Sequence, residues 1–273
     1  MSISNLLTRT CTGIVYVTVI LAAIHFQEPW FTLSMVAGLA TFAGLLEFYR
    51  MGNLHQDIQL PAFAMAVLGM FPYLACVLHA CFHLDWIWVF YPVVAVGIYI
   101  AVLYDKGPHP IHNLGFILMG QLLVAIPLGL LNFLAARHDI IWTFALFVLI
   151  WVNDTGAYLV GTLLGRHRLF ERVSPKKSWE GSLGGLIFTW AGSLIFWYLT
   201  GQQQSPWHWL VLASLIVVFG TYGDLLESLL KRSVGVKDSG RILPGHGGVL
   251  DRFDSILVAA PVVLCYLELI SLL

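Results

Sequence analysis

The chain has 273 residues, 59% of them hydrophobic and only 11% charged. A soluble domain carries about a quarter charged residues, so composition and a mean hydropathy of +0.82 exclude a water-soluble enzyme and point to an integral membrane protein. The formal net charge of −1 says little about partners, but the placement of charge along the chain says more.

In chain order, nine apolar runs are long enough to cross a bilayer as helix. They cover about 11–26, 29–46, 61–82, 86–104, 112–134, 140–164, 182–200, 207–230 and 255–273. The fold class is therefore all-α: a polytopic membrane protein with about nine transmembrane helices, forming one membrane domain over 1–273. The first two runs are joined only by Gln27-Glu28-Pro29, so a re-entrant hairpin is the alternative there. No small-residue cleavage site follows the first run, and no removable signal peptide is expected. Four cysteines (Cys11, Cys76, Cys81 and Cys265) lie in or beside apolar runs without a CxxC pair. They read as small packing residues. Cys76, His79 and His83 share a helix face, but a span end at the interface explains the histidines better than a metal does.

Of the 14 Lys and Arg residues, all but Arg137 fall on one side of a nine-span chain. They are Arg9, Arg50, Lys106, a cluster from Arg166 to Lys177 and a second from Lys231 to Arg252. Positive charge marks the cytoplasmic side, so the N-terminus is inside and the C-terminus outside. Trp30, Trp86, Trp88, Trp142, Trp207 and Trp209 then reach the outer interface as an aromatic belt.

Three acidic residues sit inside spans, where ionisable groups are costly and usually functional. At 1.5 Å per residue, Asp154 lies ~21 Å and Asp224 ~25 Å from the outer starts of their spans, so both reach the cytoplasmic third. Asp224, Glu227 and Lys231 are spaced i, i+3, i+7 and share one face. That face suits a cation and a phosphate; the plainer alternative is an ion pair that only fixes packing. Gly220 and Gly223 leave room for a close neighbour. Asp154 belongs to a polar patch, Asn153-Asp154-Thr155, whose alternative role is polar adhesion between helices. Glu47 and Glu268 lie near span ends, where solvation accounts for them.

Two cytoplasmic loops carry the chemistry, 165–181 and 231–254. In the first, Ser174-Pro175 reads as a helix start, a capping hydroxyl followed by Pro at the first helical position. The amides that follow, with Lys176, Lys177 and Ser178, make an anion site. Arg166, Arg168 and Arg172 read as topology signals and headgroup contacts. In the second loop, Lys231, Arg232, Lys237 and Arg241 precede the turn Pro244-Gly245-His246-Gly247-Gly248, and Asp251-Arg252-Phe253-Asp254 follows. Lysine and arginine neutralise phosphates. Glycine lets backbone amides approach them, and carboxylates hold Mg²⁺ together with phosphate oxygens.

The second loop resembles the signature of the phosphatidate cytidylyltransferases, or CDP-diacylglycerol synthases. The matching residues are Ser228, Lys231, Arg232, Lys237, Asp238, Pro244, His246, Gly247, Gly248, Asp251, Arg252 and Asp254. Two further motifs are similar: Asn153-Asp154 with Ala157-Tyr158, and Ser174-Pro175-Lys176-Lys177-Ser178 with Glu180-Gly181, where Ser178 stands for a threonine. The resemblance covers about 150–254. It implies the reaction of CTP with phosphatidic acid to give CDP-diacylglycerol and pyrophosphate, with Mg²⁺ alone or beside a second cation, at the cytoplasmic face of a bacterial inner membrane. On that reading Asp224, Asp251, Lys237 and His246 are catalytic. Asp224, Asp251, Asp154 and Asp254 hold metal. Ser174, Lys176, Lys177, Ser178, Lys231, Arg232, Gly247, Gly248 and Arg252 hold substrate. The partners are the two substrates and the bilayer. No nucleic acid is expected, and a homodimer is compatible. A cation-coupled transporter, or a CTP-using lipid kinase that transfers the γ-phosphoryl group, are the other readings.

The charge asymmetry makes a topological prediction. A reporter fused at the C-terminus is expected outside the cytoplasm and one inserted near Glu171 inside it. Both on one side would remove the nine-span arrangement.

Overall fold

Each apolar run folds as helix. The elements are α1 (Ile3–His25), α2 (Thr32–Gly52), α3 (Ala62–Phe82), α4 (Ile87–Leu103), α5 (Pro110–Gly120), α6 (Ile126–Arg137), α7 (Ile140–Leu164), α8 (Trp179–Leu199), α9 (Pro206–Ser233) and α10 (Leu250–Ser271). The computed structural model describes residues 3–27, 31–104, 109–202, 204–240, 242, 245 and 247–272, with side chains from residue 10 onward. The connection Glu28-Pro29, Trp30, Lys106, Arg241, Pro244, His246 and the side chain of Arg9 therefore lie outside the described residues. Seven helical segments among the described residues are long and apolar enough to span a bilayer, counting α5 and α6 as one; residues 10–25 of α1 and all of α4 are apolar but shorter. Large apolar side chains face outward, with Leu103 81% and Leu163 80% exposed. This is an all-α integral membrane protein.

The helices fall on the expected apolar runs, and some extend beyond them. α9 runs to Ser233 and α10 begins at Leu250, so Lys231, Arg232, Asp251 and Asp254 are helical rather than loop residues. α5 passes into α6 through one π-type turn, Gln121–Ala125. Pro127 follows it. Proline has no amide hydrogen to give back to the preceding turn and crowds the carbonyl there, so a loosened ladder accommodates it.

The chain divides into two compact units. The first comprises residues up to Ile140 together with 233–253. Its helices meet at small residues. Gly120 lies against the Tyr49 ring and Gly129 against Cys76, where any Cβ would clash. The Tyr49 hydroxyl donates to the Ile117 carbonyl at 2.9 Å, and that of Tyr73 to the Ser34 carbonyl. Phe48 stacks on Phe116 at 4.5 Å. Two side-chain amides pin the α2–α3 loop by pairing with backbone as a strand would. Asn53 accepts from and donates to Leu60, both at 2.8 Å, and Asn113 does the same with Gln59 at 2.9 and 3.1 Å. All four cysteines are free thiols. Cys76, His79 and His83 form no metal-holding group among the described residues. His79 instead receives the Trp88 indole N–H at 3.1 Å and lies 2.9 Å from the Arg137 guanidinium.

The second unit comprises residues 141–232 and 254–273. α7 and α8 approach through glycine: Gly156 lies against Phe188, Gly184 against Val160 and Gly185 against Asn153. Trp209 is not part of an aromatic belt. It is 1% exposed and stacks between Trp142 at 4.4 Å and Phe196 at 5.8 Å. It shares a helix face with the buried Leu212, Ala213 and Ile216, so periodicity outweighs depth. Trp86 and Trp207 are exposed.

The loop between α7 and α8 also departs from expectation, because no helix starts at Ser174-Pro175. Residues Ser174–Ser178 form strand β2, paired antiparallel with β1 (Arg168–Phe170), with Arg168 opposite Ser178. Proline suits a two-stranded edge as well as a helical first turn. The helix starts at Trp179 instead, where Ser178 has an extended backbone and its hydroxyl accepts the Gly181 amide at 3.1 Å. That hydroxyl sits among Gly161, Gly165 and Gly181. Glu180 closes the other side, taking the Arg166 and His167 amides at 3.1 and 3.2 Å. Ser178→Ala is therefore expected to remove about 1 kcal/mol of helix capping, read as a lower thermal midpoint in detergent. An unchanged midpoint would deny Ser178 that role.

Candidate functional site

The acidic centre is built where α9 meets the part of α10 within the second unit. Gly223 makes the approach possible, since a Cβ there would run into the Asp254 carbonyl and the Ser255 Cα. Backbone cannot rotate away as a side chain can. The contact brings Asp224, Glu227 and Asp254 together, each with a carboxylate oxygen within 4.8 Å of the others. Glu227, weighed in the sequence as a cation-binding residue or a packing ion pair, is both paired and part of this group. Asp154 stands outside the group but lines a neighbouring cavity that includes Asp224.

Two lysines neutralise the centre. Lys231, 8% exposed, pairs with Glu227 one turn earlier on α9. Lys177 reaches over from β2 to pair with Asp224. The Ser228 hydroxyl donates to Asp224 at 3.3 Å, and the Ser255 amide to Asp254 at 2.6 Å. The adjoining cavity holds about 340 Å³ and is lined by Asp154, Tyr158, Lys176, Lys177, Thr221 and Asp224, among others. Its volume is within the range of small-molecule sites. Three carboxylates are hard oxygen donors that suit Mg²⁺ better than a soft metal. Their crowding suits a bound cation beside the two lysines.

The Gly-rich turn belongs to the first unit, and its Gly248 amide and the neighbouring backbone amides are already engaged. Asp251 accepts the Gly248 amide at 2.7 Å and the Ser239 amide at 3.0 Å. Glu47, from α2, accepts the Val249 and Leu250 amides, both at 3.0 Å. Gly247 has φ +84, a region that glycine enters without strain, and a Cβ there would meet the Asp251 carboxylate. Lys237 is exposed in this unit. The Arg252 carbonyl accepts the Tyr16 hydroxyl at 3.0 Å. His246 lies outside the described residues. In the second unit, Ser174 is half-buried on β2 and Arg232 is exposed at the end of α9.

Glu47 is the residue that sequence reading misses. Solvation at a span end does not describe it, because it is 3% exposed and bound to a segment 200 residues away. Its one signal in the sequence is a lone carboxylate in an apolar run.

A helical membrane protein with carboxylates and lysines around one cavity is equipped to hold phosphate-bearing substrates. The chain belongs to the cytidylyltransferase family, whose model matches residues 7–270. It is similar to the phosphatidate cytidylyltransferase of Staphylococcus haemolyticus, 42% identical over 149 residues, which are 54% of this chain and 56% of that protein. It is also similar to that of Staphylococcus aureus strain COL, 46% identical over 117 residues, 43% and 45% of the two chains. The matched stretch spans about half the length of these curated relatives.

The α9–α10 contact can be tested with two glycines. Gly223→Ala is expected to cost about 1–3 kcal/mol through overpacking and to weaken Mn²⁺ binding. Gly220→Ala, whose Cβ would sit 3.6 Å from that of Ser255, is expected to be nearly neutral. Equal thermal midpoints and equal Mn²⁺ affinities for the two variants would refute this account of the contact.

Proposed function

We propose that the chain transfers the cytidylyl group of CTP to phosphatidic acid, giving CDP-diacylglycerol and pyrophosphate. The observation that carries the reading is one cavity in which Lys177, a cation suited to phosphate, and Asp224, a carboxylate suited to a divalent ion, lie side by side in a cytidylyltransferase-family chain. The names of the relatives support the choice of substrates.

A lipid phosphate oxygen attacks the α-phosphorus of CTP. The new P–O bond forms as the bond to the β-phosphate bridge breaks, and pyrophosphate departs. The attacking phosphate is already anionic, so no dedicated general base is required. What the transfer needs is neutralised charge and in-line positioning. Lys176 and Lys177 hold the triphosphate, and Arg232 and Lys237 the remaining phosphate charge. Asp224, Asp254 and Glu227 would hold Mg²⁺, with Asp154 beside them. Bound there, the ion would neutralise developing charge on the phosphate oxygens. Asp251 supports the loop in place of direct ligation. The Gly248 amide, bonded to Asp251, is a poorer phosphate donor than the lysines. In this reading the chain crosses a bacterial inner membrane nine times, with residues 150–254 supplying the catalytic part on the cytoplasmic side.

Purified protein given phosphatidate and CTP labelled at the α or γ position decides the matter. The α label is expected in lipid and the γ label in pyrophosphate. The γ label in lipid would make the protein a lipid kinase, and no transfer would favour ion-coupled transport through the same carboxylates. Lys176→Ala and Lys177→Ala should each lower kcat/KM by about 10- to 150-fold, from one charged contact of about 1.5–3 kcal/mol. Asp224→Asn should nearly abolish turnover while the protein still inserts and purifies.

A further inference from the structure

Glu47 is a carboxylate of the first unit that the proposed chemistry does not use. Its Oε1 accepts the Val249 amide and its Oε2 the Leu250 amide, both at 3.0 Å. These are amides at the start of α10, which have no acceptor inside their own helix. Glu47 is thus a helix cap delivered from α2, and its charge also favours the positive end of the α10 dipole. Oε2 accepts the Ser239 hydroxyl as well, at 3.0 Å. The same hydroxyl lies 3.1 Å from Asp251 Oδ2, which holds the Gly248 and Ser239 amides. Two carboxylates therefore close both ends of the loop onto one hydroxyl. Gly240 and Gly248 complete the fit, since a Cβ on either would collide with the Glu47 side chain. A buried carboxylate with three donors and two glycines shaped around it is a built contact.

We propose, building on the functional reading above, that Glu47 is a positioning residue for the transfer. Its carboxylate holds Ser239, Val249 and Leu250 and so fixes the first turn of α10, the continuous helix that carries Asp254 one turn further on. Lys176 and Lys177 bind CTP independently of it, so the effect falls on kcat more than on KM.

Glu47→Gln tests this, because it keeps the size but turns an amide NH₂ toward donors. Ser239→Ala removes the shared hydroxyl and should give a smaller effect in the same direction. Hydrogen exchange of residues 239–250 in Glu47→Gln is expected to rise about tenfold while that of 62–82 is unchanged. The kcat should fall by about tenfold or more, the loss of one charged hydrogen bond, with KM for CTP little altered. Unchanged exchange in 239–250, or unchanged kcat, overturns the proposal. A rise of equal size in 62–82 also overturns it, by making Glu47 a general packing residue. Wild-type turnover with CTP and phosphatidate is the control. Its absence sinks the functional reading, whereas its presence with an inert Glu47→Gln sinks only this inference.

Discussion

Like charge crowded beside a membrane is the constraint on which the second unit depends. At 4.8 Å, two carboxylates repel by roughly 3.5 kcal/mol at an effective dielectric of about 20. Three cannot be held together without counter-charge. One lysine comes from the same helix, because Lys231 lies one turn beyond Glu227. The second must come from elsewhere, and the β1–β2 hairpin supplies it by carrying Lys177 to Asp224. The hairpin is then more than a connection between α7 and α8. Its order is part of the electrostatics, and Ser178 and Glu180 secure its base. Lys231 and Glu227 are buried, and removing one partner of a buried pair costs about 3–5 kcal/mol, because it strands the other charge. The centre is thus held by mutual need rather than by strong individual bonds.

Close approach is the second requirement, and glycine satisfies it in both units. Gly223 admits the α10 backbone, Gly120 admits the Tyr49 ring, and Gly156 and Gly184 let α7 and α8 touch. Large residues such as Leu103 and Leu163 lie outward. Lipid is as apolar as leucine, so burying leucine gains little. Contact area and internal hydrogen bonds hold the helices instead.

The helices were legible because an apolar run of this length has few alternatives in a bilayer. The shared face of Asp224, Glu227 and Lys231 was legible because it depends only on helical period. Ser174-Pro175 was ambiguous, because proline after a hydroxyl fits a helix start and an edge strand alike. Trp209 was misjudged because depth says nothing about which face a residue occupies. Asp251 and Glu47 were the hardest. Their partners, Ser239, Gly248, Val249 and Leu250, are a matter of how distant segments meet, and no local pattern records that.

The contact between Glu47 and Leu250 also has a history in time. Their sequence separation is 203 residues, and a ribosome adding about 5–20 residues per second needs roughly 10–40 s to cover it. Throughout that interval α2 exists while the amides it will cap have not been made. Glu47 must spend the delay in water or at a headgroup, since a bare carboxylate in hydrocarbon is too costly to persist. A residue near the end of its helix can wait in that way, and one at the centre could not. The position of Glu47 along α2 thus answers to the order of synthesis as well as to the finished structure.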